Sequence, residues 1–510
     1  MRKRWLRIVA VPIAFTLVAA ACGDDEEGAN GTDAATDETT SAGTASEGTA
    51  SEGTASESTG GGGNADLEGT EVNVFGVESS DEEAGAMQDA LDVFAEENGM
   101  SITYVGARTF EEEINTQVGG GNPPDIATFP QPGKVADFAA SGDVLEVPED
   151  VLSSVSEGWD EDWLSFTNVD GTQYGVPLKS DLKSLVWYSP SAFAEKGYEI
   201  PETLDDFFTL NEEMIANGDV PLCVGIESGP ATGWPFTDWT EEIILRNEGA
   251  DYYNQWVTHE VPFNDPPVVE AMTAVADLWS TDGAVYAAGG SIAATPFGDN
   301  GQALVDGKCL MHRQANFFSA FMPEGTEFGD GDGQINTFYF PSNEGEPILV
   351  GGLNAAAFED RPEVWAVMEY LGSAEFADAR QSAQVERKGG GEDVISGFLS
   401  ANSNADQELY TDLEQSFLEV LNTGEPAAFD ASDQMPGEVG AGSFLDEATS
   451  LVNGDADAQA AADTVEESWP DCPHPSSTGA GGKAPRHHYR CSLTSGASSE
   501  HEGWGHDRHR

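Results

Sequence analysis

From residue 72 onward, apolar residues occur in two patterns that alternate along the chain: short continuous runs and residues at helical spacing. Short apolar runs at residues 72–77, 102–105 and 125–129 have the length and composition of buried strands. Between and after them, apolar residues recur at helical spacing, and Ser80 with Glu83 has the spacing of a helix capping box. This strand–helix order predicts a parallel sheet with helices on both faces.

The same order predicts where a ligand would meet the sheet. Ligands of parallel α/β sheets bind beside the carboxyl ends of the strands. Glu78 and Ser79 follow the first predicted strand, and Gln131 follows the third, within the loop 129–133. We therefore expect these three side chains to face a binding site.

The later pattern predicts a second α/β lobe and a return of the chain to the first. Residues 174–188 form a long β-rich run, which we interpret as a crossing between two lobes. Thr203 and Asp206 then have the spacing of a second capping box. Apolar runs at 338–341 and 351–358 predict returning strands, and they precede helices predicted at 363–371 and 374–384.

The first residues have a different character, with a basic start and an unbroken apolar run from 8 to 21. That run is too short to span a hydrocarbon core of about 30 Å, so it predicts a cleavable export signal over 1–21. Small residues directly before Cys22 resemble the lipobox of bacterial lipoproteins, although Ala19 stands where that motif usually has Leu. This resemblance implies acylation of Cys22 and a membrane-anchored, extracytoplasmic protein.

Composition separates a linker from a folding body. Residues 22–66 are rich in Gly, Ser, Thr, Ala and acidic residues, which predicts a disordered linker. About 400 residues, 67–471, remain to fold, enough for two domains or one two-lobed unit. The formal net charge of -71, from 92 acidic and 21 basic residues, argues against a nucleic-acid partner.

Cys223 and Cys309 are the only cysteines between 67 and 469. In an oxidising compartment we expect them to form a disulfide, which would stabilise the fold by roughly 4–5 kcal/mol in the chain-entropy model. The alternative is two separate buried thiols.

Several segments, in order, resemble one family. They are the lipobox, 124–127 (PDIA), 174–177 (YGVP), 182–188 (LKSLVWY), 352–357 (GLNAAA) and a last helix ending at Trp469. Over about 67–470 the chain is similar to the carbohydrate-binding group of ABC-transporter solute-binding proteins, extracellular family 1, and most to α-glucoside binders. Their cysteine pair is placed like Cys223 and Cys309.

This resemblance implies an α/β, two-lobed periplasmic-binding-protein-like fold with a hinge and an interlobe ligand cleft. We expect lobe 1 at about 67–178 plus 312–390, and lobe 2 at about 179–311 plus 391–471. The implied function is to bind a sugar and deliver it to the permease subunits of an importer. No cofactor and no metal is expected, and members of this family are usually monomers.

Sugars need aromatic platforms and planar polar side chains, and the loop 227–239 supplies both. Within it we predict that Trp234 stacks on a sugar and that Asp238 accepts hydroxyls, whereas Trp239 is either a ligand contact or lobe core. The remaining candidates follow family-style positions, each against a structural alternative such as an exposed charge cluster or a tight turn: Lys179, Asp181, Arg313, Asn316, Gly352 and Asn354.

No motif of a serine hydrolase, a zinc protease or a phosphate-binding loop occurs in the chain. An anchored glycoside hydrolase remains an alternative, since 92 acidic residues can supply a carboxylate pair, and so does a surface adhesin. The segment 472–510 holds six of the eight histidines. We interpret it as an appended, disordered tail from read-through or a frame change, the alternative being a metal-binding tail.

Overall fold

The structure, a computed structural model, describes residues 67–470. The predicted signal 1–21, Cys22, the linker 22–66 and the tail 472–510 lie outside the described residues. Within them the strands are β1 (Glu71–Gly76), β2 (Ser101–Gly106), β3 (Ile126–Phe129), β4 (Asn168–Val169), β5 (Thr172–Gln173), β6 (Val176–Leu182), β7 (Leu185–Tyr188), β8 (Leu222–Cys223), β9 (Val285–Tyr286), β10 (Met311–Arg313), β11 (Asn336–Tyr339), β12 (Ile348–Ala357) and β13 (Ala427–Phe429).

Helices alternate with the strands over most of this length. They are α1 (Asp81–Asn98), α2 (Phe110–Gly119), α3 (Pro132–Ser141), α4 (Glu149–Val155), α5 (Glu161–Ser165), α6 (Pro190–Lys196), α7 (Leu204–Asn217), α8 (Trp234–Val257), α9 (Pro266–Ser280), α10 (Asn300–Val305), α11 (Pro362–Leu371), α12 (Ala374–Arg387), α13 (Asp412–Thr423), α14 (Ala431–Gln434), α15 (Leu445–Asn453) and α16 (Ala458–Ser468). None of these helices combines the length and apolar character needed to cross a membrane.

The first sheet has the strand order β13-β12-β3-β1-β2, and β6 pairs with residues 350–355 of β12. β1 runs parallel to β2 and β3, as the sequence predicts. The returning strand β12 is antiparallel to both β3 and β6, so the complete sheet is mixed. The sequence pattern indicates that this strand exists but not its direction.

The second sheet has the order β11-β7-β10-β8-β9. The chain enters it directly from β6 of the first sheet, so the run 174–188 is a crossing between the lobes, as predicted. Cys223 at the end of β8 and Cys309 before β10 form the predicted disulfide, with their Cα atoms 5.4 Å apart. The disulfide therefore joins two neighbouring elements of the second lobe.

Two large apolar clusters form the core. One surrounds the first sheet, includes Val74, Ile126 and Val350, and extends to Trp187 and Cys223 of the second sheet. Another packs α8, α9 and α16 around the second sheet and includes Trp256 and Phe340. A two-lobed α/β fold follows from two sheets that each bury apolar side chains. The bounds of the lobes in sequence stay a prediction.

The two predicted capping boxes form only in part. The hydroxyl oxygen of Ser80 accepts the backbone N–H of Glu83 at 3.1 Å, and Thr203 caps Asp206 in the same way. The carboxylates do not return to the backbone of the capping residue. Instead each accepts the capping hydroxyl, Glu83 at 2.8 Å and Asp206 at 2.7 Å.

Candidate functional site

A cavity of about 550 Å³ lies between the lobes. The loops after β1, β2 and β3 form one side, and residues that follow β8 and β10 form the other. These are the carboxyl ends of the strands, where α/β sheets bind ligands. The volume falls in the range of about 300–1,000 Å³ that is usual for small-molecule sites.

Strand β6 supplies part of the cavity lining through alternate residues. Lys179 and Asp181 of β6, with Lys183 directly after its end, line the cavity, and in an extended chain side chains two positions apart point to the same face. Gly352 of β12 also lines the cavity. The backbone of β6 passes unusually close to it. A Cβ atom on Gly352 would lie 2.2 Å from the carbonyl oxygen of Lys179, so only glycine fits.

Glu78, Lys179, Asp181 and Arg380 form a buried group that we call the first charge cluster. The Glu78 carboxylate accepts from Lys179 Nζ and Arg380 Nη2, each at 3.1 Å. Burial alone would raise the pKa of Glu78, but the Arg380 and Lys179 charges outweigh it, so the pKa is lowered. For Asp181, burial dominates over Lys179 and raises the pKa.

The second charge cluster consists of Lys183, Asp238, Arg313, Asp430 and Asp433. Lys183 Nζ contacts Asp238 at 3.1 Å and Asp433 at 3.9 Å, and it also pairs with Asp430. Arg313 donates to Asp238 at 2.8 Å. The Lys183 charge and several hydrogen bonds overcome the effect of burial on Asp430 and lower its pKa to about 2. Burial and the Asp430 charge raise the pKa of Asp433 well above its usual value.

Oxygen atoms of Asp238, Glu241 and Asp430 lie within 4.8 Å of one another, which is close enough for a shared cation. Lys183 already pairs with two of the three carboxylates. Glu241 accepts the backbone N–H groups of Ala431 and Ser432 at 2.8 and 3.1 Å. The lysine ammonium therefore supplies the positive charge that a metal ion would otherwise bring.

Four aromatic rings line the second-lobe side of the cavity: Trp234, Phe297, Phe317 and Phe321. Trp234 contacts Phe297 edge-on, with ring centres 5.0 Å apart, and Phe297 contacts Phe321 at 4.8 Å. The N-terminus of α8 positions Trp234. Such a wall offers an apolar surface to the C–H faces of a ligand.

The mouth of the cavity is bridged by a contact between the lobes. Arg108, in the loop after β2, lies 3.2 Å from the carboxylate of Glu227, which follows β8. The Glu227 carboxylate also accepts the backbone N–H of Gly229 at 2.9 Å. An ion pair therefore joins the two lobes beside the cavity in this structure.

Seven of the twelve predicted ligand-binding residues line this cavity. They are Glu78, Ser79, Gln131, Lys179, Asp181, Trp234 and Gly352.

The other five lie elsewhere. Trp239 packs against Phe207, Trp279 and Phe340 in the second-lobe core, which was the alternative considered for it. Asp238 and Arg313 do not line the cavity: Asp238 pairs with the lining residue Lys183, and Arg313 pairs with Asp238.

Two asparagines among the five are buried beside β6 and within β12. Asn316 Oδ1 accepts the backbone N–H of Leu182 at 2.7 Å, and its Nδ2 donates to Gly397 at 3.0 Å. Asn354 belongs to β12 and is buried, with its Oδ1 lacking a hydrogen-bond donor among the described residues. Neither side chain lines the cavity. Asn316 is held by backbone groups, and Asn354 follows a register shift in the pairing of β12 with β6.

Sequence reasoning missed several lining residues. Lys183 had a usable signal, because it continues the alternation of Lys179 and Asp181 along β6. Glu111 and Asp433 had none, since each sits in a short acidic segment that also fits a solvated helix start. Phe297 and Phe317 come from loops whose approach to Trp234 depends on tertiary packing.

Comparison with known proteins gives a consistent result. Residues 78–378 match the family model for bacterial extracellular solute-binding proteins. The osmoprotective compounds-binding protein GgtB of Synechocystis sp. is 38% identical over 420 residues, which cover 81% of this chain and 95% of that protein. The alpha-glucosides-binding periplasmic protein AglE of Rhizobium meliloti is 33% identical over 422 residues, 79% of this chain and 88% of that protein.

Solved structures support the same fold. The bacterial solute receptor AcbH superposes with a TM-score of 0.65 at 18% sequence identity, covering 78% of this chain and 98% of that chain. At this identity the likeness concerns the two-lobed fold and not the ligand.

Proposed function

The chain belongs to the bacterial extracellular solute-binding proteins, and we propose that the solute in its interlobe cavity is an α-glucoside or a short oligosaccharide. Members of this family are binding components of ABC importers and not enzymes. The chain thus acts outside the cytoplasm and presents its solute to permease subunits.

The observation that carries the sugar assignment is the chemistry of the cavity. One side offers the aromatic rings around Trp234, and the other offers carboxylates and the Gln131 amide. Sugars have apolar C–H faces and many hydroxyl donors, so they need both kinds of surface. AglE, named for α-glucosides, and GgtB, named for osmoprotective compounds, are both similar over about four fifths of the chain.

Within this proposal the lining residues have distinct tasks. Trp234 provides the platform on which a sugar ring stacks. Asp181 and Gln131 face the hydroxyls, whereas Lys179 and Lys183 hold the carboxylates in place through ion pairs. Binding stabilises the closed arrangement, because a ligand that contacts both lobes has higher affinity for the closed state.

A thermal-shift screen with trehalose, sucrose, maltose and maltotriose tests the proposal, followed by calorimetry on any hit. We expect at least one of these sugars to raise the melting temperature. Chromatography of the recovered sugar should show it unchanged, whereas hydrolysis would support an anchored glycoside hydrolase instead. No response to any sugar would contradict the proposal.

We also propose that Cys22 carries a lipid anchor, that residues 22–66 act as the tether, and that the protein is a monomer. Support for the anchor comes from the lipobox-like sequence before Cys22. Metabolic labelling with a fatty-acid analogue in a bacterial host should label the wild type and not the Cys22→Ser variant.

A further inference from the structure

The cavity lining has many more acidic than basic side chains. Eight of its side chains are carboxylic acids and three are basic. The basic groups are already paired: Arg108 with Glu227, Lys179 with Glu78, and Lys183 with Asp430. All three basic groups are thus engaged in ion pairs within the protein, whereas several of the carboxyl groups have no basic partner among the described residues.

Two carboxyl oxygens at the cavity have no hydrogen-bond donor among the described residues. Asp181 is 94% buried, since its exposed fraction is 6%, and its Oδ1 receives no hydrogen bond. Among the described residues, the one ion pair of Asp181 joins this oxygen to Lys179 Nζ, 3.5 Å away. Glu111, in the first turn of α2, has an Oε2 that is enclosed and equally without a donor. Gln131 also hydrogen-bonds the Glu111 carboxyl group. Because buried polar atoms are normally satisfied, each of these two oxygens can accept a further donor.

The electrostatic environment of the acidic side chains also favours a positively charged group in the cavity. The pKa values of Asp181, Glu111 and Asp433 are all raised, with burial as the largest cause in each case. The negative charge of Glu111 also contributes to the raised pKa of Asp433, so these two carboxyl groups affect each other across the cavity. A positive group placed among them would relieve both the desolvation and the repulsion.

The aromatic wall is compatible with such a group. Lys183 Nζ lies 5.8 Å from the ring centre of Trp234, and Lys179 Nζ lies 5.4 Å from that of Phe317. These rings therefore already face cations, as expected for their negative faces. An ammonium group on a ligand would meet aromatic faces and carboxyl oxygens together.

We propose that the cavity selects its solute by charge. A glycoside that carries a protonated amine binds more tightly than its neutral parent, and a glycoside that carries a phosphate does not bind. This inference rests on the proposed function, because it concerns the same cavity. Glu111 and Asp433 are the specificity-determining residues, since their carboxyl groups do not hold a basic side chain within hydrogen-bond distance in the described part of the chain.

Calorimetry with a matched ligand series tests the inference. The parent is whichever of trehalose, sucrose or maltose binds most tightly, and it is compared with its 2-amino, 6-amino and 6-phosphate derivatives. We expect at least one amino derivative to bind tenfold or more tightly than the parent, and the phosphate not to bind. If the parent binds and neither amino derivative gains affinity, charge selection is wrong while the proposed function stands. If no neutral disaccharide binds, both fail.

The variant Glu111→Gln with Asp433→Asn locates the effect. It keeps the shapes of both side chains, and we expect the ratio of amine affinity to parent affinity to fall toward one. The matched control is Asp306→Asn, an exposed acid outside the cavity lining, which should keep the wild-type ratio. The ratio is independent of how much protein is folded. A double variant that keeps the full ratio would overturn the assignment of these two residues.

Discussion

The two charge clusters of the cavity start from the same strand but connect different parts of the molecule. In the first cluster Lys179 pairs with Asp181 and with Glu78, next to β1, and Glu78 pairs with Arg380 of α12. All of these elements belong to the first sheet or pack beside it. Lys183 of the second cluster instead reaches Asp238 of α8 and Asp430 beside α14.

The two clusters therefore have different tasks, although Lys179 and Lys183 lie only four positions apart in the sequence. The first cluster holds Lys179 and Asp181 of the cavity lining in place within the first lobe. The second cluster extends through Arg313 to Glu242 at 2.7 Å, so it connects Lys183 of the lining to the second lobe. We therefore expect damage to the first cluster to affect the ligand more than the fold, and damage to the second to affect both.

The largest expected effect is that of Lys183→Met. It leaves Asp430 without a cation in a buried environment, and Asp238 with Arg313 alone. Removing one partner of a buried ion pair typically costs about 3–5 kcal/mol of unfolding free energy. Denaturant unfolding measures this loss, and calorimetry should show weakened sugar binding. The exposed pair Lys196–Asp219 provides the control, because Lys196→Met should cost less than about 1 kcal/mol.

Lys179→Met sharpens the comparison. Glu78 keeps Arg380 at 3.1 Å, so only Asp181 loses its cation. We expect a smaller loss of about 1–3 kcal/mol in unfolding free energy, together with a clear loss of sugar affinity. Equal destabilisation by Lys179→Met and Lys183→Met would contradict the distinction between the clusters.

Trp234→Ala separates the ligand wall from the lobe core. Loss of a central aromatic contact should weaken sugar binding by about 2 kcal/mol, roughly thirtyfold in Kd. Unfolding free energy should change little by comparison. The matched control, Trp239→Phe, alters a tryptophan that is 3% exposed and lies in the core, so it should lower stability and leave affinity nearly unchanged. Unchanged affinity in Trp234→Ala together with a large loss of affinity in Trp239→Phe would contradict these two placements.

The smallest expected effect is that of pH on the ligand-free protein. The pKa values of Asp181, Glu111 and Asp433 are raised by folding, and that of Asp238 is raised to about 6, all mainly by burial. Through these four groups the folded state binds more protons than the unfolded state, so they should raise stability as pH falls from 7 to about 5. His312, whose pKa burial lowers to about 4, opposes this rise over the same range. Thermal melts across this range measure the rise, and Asp433→Asn should reduce it. A melting temperature that falls steadily from pH 7 to 5 would contradict the assignment.

The sequence predicts much of the first lobe because its signals are local. The runs that became β1 and β3 are short and apolar, and helical spacing marks α1 between them. The antiparallel direction of β12 could not be read from its composition, since an apolar strand buried on both sides has no alternation.

In the candidate site, too, the residues that the sequence predicts are those with a local signal. Glu78 and Gln131 could be placed because strand ends locate them in any parallel sheet. The sequence left Trp239 open between ligand contact and lobe core, because it lies in the same helix as Trp234 and only packing decides which ring faces the cavity. The role of Lys183 depends on Asp430, which is 247 residues away in sequence, so no local pattern reveals it.

Small-angle X-ray scattering, combined with calorimetry on the same samples, tests the central claim most directly, namely that the two lobes close around a sugar. With the disaccharide that binds most tightly, we predict a smaller radius of gyration at saturation than in its absence, and the change should follow the binding curve. Tight binding with superimposable scattering profiles would contradict closure of the lobes on the solute.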